Sequence, residues 1–141
     1  MKHFFCLLML AFSLVISGCG SSYDEASVNH FTELKQHHLT FINRYTGNAE
    51  RSYDQVAVRA GCDQVVREFD KAKTYMENEK EKDGLKALAI LRAQFEKDCR
   101  FLHDMEKLYT TEYAAVHKVA LSKNYDLAIA GKYDDVEELE D

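Results

Sequence analysis

The chain reads ENEKEKDG at residues 77–84, a wholly polar stretch between two long segments of regularly spaced apolar side chains. Alternating charges followed by a glycine are typical of a solvated turn between helices. We therefore place the turn of a helical hairpin within this stretch. A charged partner-binding loop is the alternative, and this composition favours it less than a simple connection.

On both sides of the turn, apolar residues recur every three or four positions, which is the period of an α-helix. The stripe before the turn consists of Val58, Cys62, Val65, Phe69, Ala72 and Met76. This helix begins near Ser52, where Ser52–Gln55 has capping-box spacing, or a few residues earlier at Asn48. Gly61 lies inside it and is expected to permit a close helix contact, because glycine in a helix otherwise costs about 1 kcal/mol.

After the turn the apolar stripe runs from Leu85 to Ala120. Thr110-Thr111 offers a possible break, but no glycine or proline enforces one, so the pattern predicts a single helix of about ten turns. Lys123-Asn124 would end it. Residues 125–130 would then form a short helix closed by Gly131.

A first helix is predicted from about Asp24 to Tyr45, ended by Gly47. Its stripe consists of Phe31, Leu34, His38, Phe41 and Tyr45. The chain has no proline, which agrees with a helical fold. The predicted fold is therefore all-α: an antiparallel up-down bundle of three main helices plus a short C-terminal helix over residues 24–132, followed by an acidic tail at 133–141. An extended coiled-coil hairpin is the alternative, but residues such as Ile42 broaden the stripes toward a globular core.

The N-terminus has a different character. Lys2 gives it a basic start, and residues 4–16 are apolar except for Ser13. A helix of this length reaches about 20 Å, short of the roughly 30 Å hydrocarbon core of a membrane. The segment therefore has the form of a signal peptide and not of a membrane span. It ends in Ile16-Ser17-Gly18-Cys19, which resembles the lipobox of bacterial lipoproteins.

The resemblance implies that residues 1–18 are a signal peptide, that a diacylglyceryl group is attached to Cys19, and that the new amino group is acylated after cleavage. Residues 19–23 would be the lipidated cysteine and a short tether. Gly20 stands where inner-membrane members of the class carry aspartate, so the resemblance implies sorting to the outer membrane, facing the periplasm. The lipid bilayer is then a partner through the acyl chains, because two or three such chains anchor a protein durably.

The charge balance excludes one class of partner. The chain has 18 basic and 24 acidic residues, a net charge of −6. Nucleic-acid binding needs a clustered basic face, so we expect no nucleic-acid partner. Common catalytic and cofactor motifs are also absent from the sequence: it has no glycine-rich phosphate loop, no Gly-x-Ser-x-Gly and no His-Glu-x-x-His. We therefore expect no enzyme activity.

Two weak metal-ligand patterns remain. His30, His37 and His38 lie on the first helix, with Glu33 one turn before His37, which could form half a site. His38 falls on the apolar stripe and is better explained as a hydrogen-bonded core residue. Cys99 and His103 are one turn apart on the third helix, with Cys62 as a further ligand in that interpretation.

A disulfide between Cys62 and Cys99 explains these cysteines better than a metal does. Cys6 would leave with the signal peptide and Cys19 would carry lipid, so these two are the free thiols of the mature chain. Exported thiols usually pair with each other. Residues equidistant from the turn of an antiparallel hairpin lie opposite each other, and the midpoint of 62 and 99 falls within residues 77–84. We therefore predict a disulfide and no metal or other cofactor.

The sequence favours a non-catalytic helical lipoprotein that binds or positions another envelope protein. The alternative is a bundle that holds haem or a metal through His38, His103 or His117.

Overall fold

The computed structural model describes residues 24–47 and 52–139. The predicted signal peptide and the predicted lipidation site at Cys19 lie outside these residues. None of the described helices combines the length and the apolar composition needed to cross a membrane.

The described chain forms an all-α bundle, which confirms the predicted fold class. Its four helices are α1 (Glu25–Arg44), α2 (Gln55–Glu79), α3 (Lys82–Met105) and α4 (Thr111–Ile129), and a short 3-10 helix follows at Tyr133–Asp135. Consecutive helices run antiparallel. The largest contacts join α2 with α3 and α1 with α4, while α3 and α4 touch each other less and are bridged by the 3-10 helix.

The hairpin turn lies within residues 77–84, as predicted. Helix α2 ends at Glu79, and Lys80 adopts a left-handed conformation with φ of 60°. The amide of Glu81 then donates to the carbonyl of Met76 at 2.9 Å, which closes the end of the helix. Gly84 is not part of this turn and lies buried inside α3.

The prediction of one continuous helix from Leu85 to Ala120 was wrong, because two helices, α3 and α4, occupy this part of the chain. Helix α3 ends at Met105, Glu106 takes φ of 48°, and the side chain of Thr110 caps α4 by accepting from the amide of Tyr113. The predicted separate helix at 125–130 does not form, because residues 125–129 are the last part of α4. Lys123 and Asn124 lie inside α4 and do not end a helix.

Tyr109 explains the break. Its amide donates to the carbonyl of Tyr45 at 2.9 Å, and its carbonyl accepts from the amide of Gly47 at 2.7 Å. The side chain of Tyr109 is almost fully buried. The chain leaves helical geometry here because the buried ring and the two new hydrogen bonds replace those of the lost turn.

The start of α2 also differs slightly from the prediction. Asp54, and not Ser52, caps the helix, and its carboxylate accepts from the amides of Val56 at 2.9 Å and Ala57 at 3.1 Å. The residues beyond α4 pack onto the bundle through the buried side chain of Val136, and Asn124 donates to the carbonyl of Glu137 at 2.6 Å.

Gly61 makes the close contact that its position in α2 predicts. A Cβ atom there would lie 2.8 Å from the hydroxyl oxygen of Tyr45 and 3.3 Å from the ring of Phe41. The Tyr45 hydroxyl cannot simply move away, because it donates to the carbonyl of Ala57 at 2.6 Å and its ring is buried.

We therefore expect Gly61→Ala to lower the free energy of unfolding by about 1–3 kcal/mol, the usual cost of overpacking. Helix propensity acts in the opposite direction by about 1 kcal/mol. Urea denaturation measures the net effect. Ala60→Gly, at the neighbouring exposed position, reports the propensity term alone. A Gly61→Ala variant more stable than the wild type would contradict the close contact.

Candidate functional site

A buried carboxylate lies at the centre of the bundle. Asp98, on α3, is 3 % exposed. Its two oxygens accept hydrogen bonds from Nε2 of His38 at 2.8 Å, from Nε2 of His117 at 2.9 and 3.0 Å, and from the hydroxyl of Tyr109 at 3.0 Å. We call these residues, together with Tyr125, the Asp98 network.

Three helices and one connection supply the network. His38 comes from α1 and His117 from α4, while Tyr109 lies in the connection between α3 and α4. The hydroxyl of Tyr125 lies 3.1 Å from Nδ1 of His38. Because an ionised carboxylate only accepts, Nε2 of His38 carries its proton, and Nδ1 of the neutral ring accepts from Tyr125. The prediction that His38 is a hydrogen-bonded core residue is confirmed.

Burial and hydrogen bonding set the charges of this network. Burial lowers the pKa of His38, and this outweighs the opposite effect of the nearby Asp98 carboxylate, so the ring is held neutral. Burial alone would raise the pKa of Asp98, but the hydrogen bonds from His117 and His38 prevail and hold it below its usual value. Burial also raises the pKa of Tyr109 and of Tyr125, so both hydroxyls stay protonated and able to donate.

The free energy of unfolding is therefore expected to fall in two steps as the pH is lowered. The pKa of His38 is lower in the folded state than its ordinary value of 6.5, so its contribution is complete above that pH and decreases below it. The pKa of Asp98 is lowered from 3.8, so its contribution is lost only as the pH falls further, below that value. Urea denaturation across the acid range measures both steps.

The variant His38→Gln separates the first step from the second. Its amide can donate to Asp98 and accept from Tyr125, but it does not titrate. The first step should disappear in this variant and persist in His103→Gln, which changes an exposed ring. If the first step had the same size in His38→Gln as in the wild type, groups other than His38 would be responsible for it.

The sequence did not single out Asp98, although one signal was present. Phe95, Asp98 and Leu102 follow one another at helical spacing on the same apolar stripe, and a charged residue on such a stripe is rarely buried without partners. His117 was considered only as a haem or metal ligand. Its role as a donor to Asp98 depends on the position of α4, which the sequence did not predict.

The two metal-ligand patterns of the sequence are not assembled. The ring of His30 packs against Tyr75 at 5.1 Å, and Glu33 is exposed. His103 is exposed with its Nδ1 3.1 Å from the carboxylate of Asp104. Within residues 24–47 and 52–139, no group of three or more His, Cys, Asp or Glu side chains is arranged to hold a metal ion.

Cys62 and Cys99 meet between α2 and α3. They are joined at disulfide distance with their Cα atoms 6.0 Å apart, inside the range of about 4.4–6.8 Å that a disulfide tolerates. The geometry therefore agrees with the predicted bridge. The two cysteines lie opposite each other because the turn is midway between them in sequence. Lys80 and Glu81, which connect α2 and α3, are the two residues at the midpoint between positions 62 and 99.

A groove of about 650 Å³ runs over this disulfide, between the first turns of α2 and the last turns of α3. It is lined by Gln55, Val56, Val58, Arg59, Ala60, Cys62, Asp63, Cys99, Arg100 and His103. We call it the α2–α3 groove. Val56 on its rim is 79 % exposed. Arg59 and Arg100 have no ion-pair partner in the described part of the chain, so the groove offers an apolar floor beside two unpaired guanidinium groups.

Comparison with protein-family models, with curated proteins and with solved structures found no match to this chain.

Proposed function

We propose that this chain is a lipid-anchored protein of the bacterial envelope whose helical domain binds or positions another envelope protein without catalysing a reaction. The lipobox resemblance of Ile16-Ser17-Gly18-Cys19 supports the anchor and the outer-membrane location, facing the periplasm. The α2–α3 groove supports the binding role, and its position in the fold is the observation that carries the proposal.

The groove lies at the end of the bundle opposite to Asp24, the first described residue. Near Asp24, Tyr75 donates to its carboxylate and Ser27 donates to Glu81 beside the α2–α3 turn. At the other end, Tyr45 reaches Ala57 at the start of α2. The 20 residues of α1 separate these two levels, which corresponds to about 30 Å. A protein anchored five residues before Asp24 would thus present the groove away from its anchor.

The lining of the groove indicates what kind of segment it accepts. Between two helices, an open apolar groove is suited to the apolar face of a partner helix or to an extended segment. Arg59 and Arg100 on the rim would attract carboxylates. The partner segment is therefore one with apolar side chains flanked by Asp or Glu.

The buried network favours a non-catalytic role. His38 and Asp98 are nearly inaccessible, and their polar atoms are already hydrogen-bonded to each other and to tyrosines. Neither nitrogen of His38 is available to ligate haem or a metal unless Asp98 or Tyr125 moves. The network is accordingly explained by packing, and no contact among the residues that the structure describes favours the small-molecule alternative.

The anchor is tested by mass spectrometry of the mature N-terminus. We expect a chain that begins at Cys19 and carries acyl groups. Cys19→Ser should abolish the modification and release the protein from membranes or block its processing, because the thiol that accepts the lipid is gone. Cys6→Ser, which lies in the segment to be removed, should change neither result. An unmodified chain beginning at Met1 would contradict the anchor.

The binding role is tested by site-specific photocrosslinking in cells that naturally express the protein. A photoreactive residue at Val56 should give a discrete product with one envelope protein. The same residue at Lys71, exposed on the same helix but outside the groove, is the matched control and should not. Arg59→Glu combined with Arg100→Glu should remove the Val56 product while the helical circular dichroism is unchanged. Identical products from both positions would contradict binding in the groove.

A further inference from the structure

Helix α4 is apolar on more than its buried face. The buried side chains of this helix are Ala114, His117, Leu121, Asn124, Tyr125 and Ala128. On the opposite face, Val116 is 74 % exposed and Val119 is 72 % exposed. Surface helices normally carry polar residues on the face turned away from the core, so two neighbouring exposed valines at the centre of that face are unusual. This outer face therefore has the composition of a contact surface.

Four residues form a single line along this face. Glu112, Val116, Val119 and Lys123 are spaced by four, three and four positions, the spacing of a coiled-coil seam. The two valines lie at its centre, and one acidic and one basic residue lie at its ends. Neither Glu112 nor Lys123 has an ion-pair partner within the residues that the structure describes. We call this line the α4 seam.

We propose that the α4 seam pairs antiparallel with the α4 seam of a second copy of this chain. A two-fold axis between positions 117 and 118 places Val116 opposite Val119 of the second copy, and Glu112 opposite Lys123 of the second copy. Each of these pairs occurs twice, as an isologous contact requires. A parallel pairing would instead bring Glu112 against Glu112 and Lys123 against Lys123, so the charges select the antiparallel arrangement.

The surface beside the seam agrees with this arrangement. Ala115 and Ala120 flank the valines and are exchanged by the same axis, and their small side chains allow the helices to approach closely. A shallow depression lined by Val119, Lys123 and Asp126 continues the seam toward the end of α4. Asp126 is already paired with Lys35 at 2.6 Å. Lys123 therefore remains available to Glu112 of the second copy.

The pairing is expected to be weak in dilute solution. One pair of 19-residue helices in contact buries less than the roughly 1,200–2,000 Å² of a stable protein interface. The pair should therefore form mainly at the upper end of the protein concentration range. The proposal does not depend on the α2–α3 groove or on any partner protein, so either can fail without the other.

The test is sedimentation velocity of the full chain in a density-matched non-ionic detergent over a range of protein concentrations. The wild type should show a monomer–dimer equilibrium. Either single variant, Glu112→Lys or Lys123→Glu, would place two pairs of like charges across the interface. Each should therefore weaken the dimer about tenfold. The double variant carrying both changes should restore it. The two single variants mixed together should associate with each other more tightly than either does with itself.

Two further variants separate the seam from other apolar surface. Val119→Ser should weaken the dimer as strongly as the charge changes. Val56→Ser, equally exposed in the α2–α3 groove, should leave it unchanged. All these positions are exposed, and unchanged circular dichroism confirms folding. A concentration-independent monomer would overturn the proposal. Association that is the same in all variants would also overturn it, because that is the behaviour of contacts through detergent or another face.

Discussion

Asp98→Asn is expected to lower the free energy of unfolding by about 3–5 kcal/mol, the usual cost of breaking a buried charge network by changing one member. The new amide group would turn two donor hydrogens toward His38, His117 and Tyr109, which also donate. At least one buried polar hydrogen would then lack an acceptor. A loss of this size is a large part of the 5–15 kcal/mol that stabilises an ordinary domain.

Urea denaturation followed by circular dichroism measures this loss. Asp70→Asn is the matched control, because Asp70 also accepts a charged hydrogen bond, from Arg92 at 2.6 Å, but at the surface. Exposed pairs contribute only about 0–1 kcal/mol. If the two variants lost the same small amount of stability, the network would contribute no more than a surface ion pair. An Asp98→Asn variant that does not fold at all would agree with the prediction.

Reduction of the Cys62–Cys99 bridge is expected to lower the free energy of unfolding by about 4 kcal/mol. The cysteines are 37 positions apart, and a closed loop of this length restricts the unfolded chain by about that amount in the chain-entropy model. The folded chain should survive reduction at neutral pH because the contacts of α2 with α3 remain. Urea denaturation with and without a reducing agent measures the difference.

The double variant Cys62→Ala with Cys99→Ala is the control for this measurement. It should be less stable than the oxidised wild type and should not respond to the reducing agent. Titration of thiols in the denatured, unreduced protein checks the bridge directly, and neither cysteine should react. Two reactive thiols per chain in protein from an oxidising compartment would show that the bridge does not form there.

The features predicted correctly from the sequence are those set by local spacing. Apolar residues three and four positions apart predicted the helices on both sides of residues 77–84, and the polar composition of that stretch predicted the turn. The opposition of Cys62 and Cys99 then followed from simple counting along two antiparallel helices. These inferences needed no information on how distant parts of the chain pack.

The features that the sequence did not predict depend on distant contacts. The break before α4 follows from hydrogen bonds between Tyr109 and the Tyr45–Gly47 segment, more than 60 positions earlier in the chain. Helix propensity depends on nearby residues only, so it could not predict the effect of this distant segment. The Asp98 network was missed for the same reason, because its donors His38 and His117 come from helices whose arrangement around Asp98 becomes visible only after the bundle is assembled.

The positions of Asp24 and of the α2–α3 groove determine how the domain would carry mechanical load. The covalent path from Asp24 to the α2 side of the groove follows α1 and its connection to α2, and the Cys62–Cys99 bridge joins that side to α3. A pull between the proposed anchor and the proposed partner in the groove would therefore load α1 along its axis, parallel to its contacts with α2 and α4. Contacts loaded in shear yield together and not one after another, so resistance would come from the whole length of α1. Its rupture would be governed by the rate of unfolding and not by the equilibrium stability.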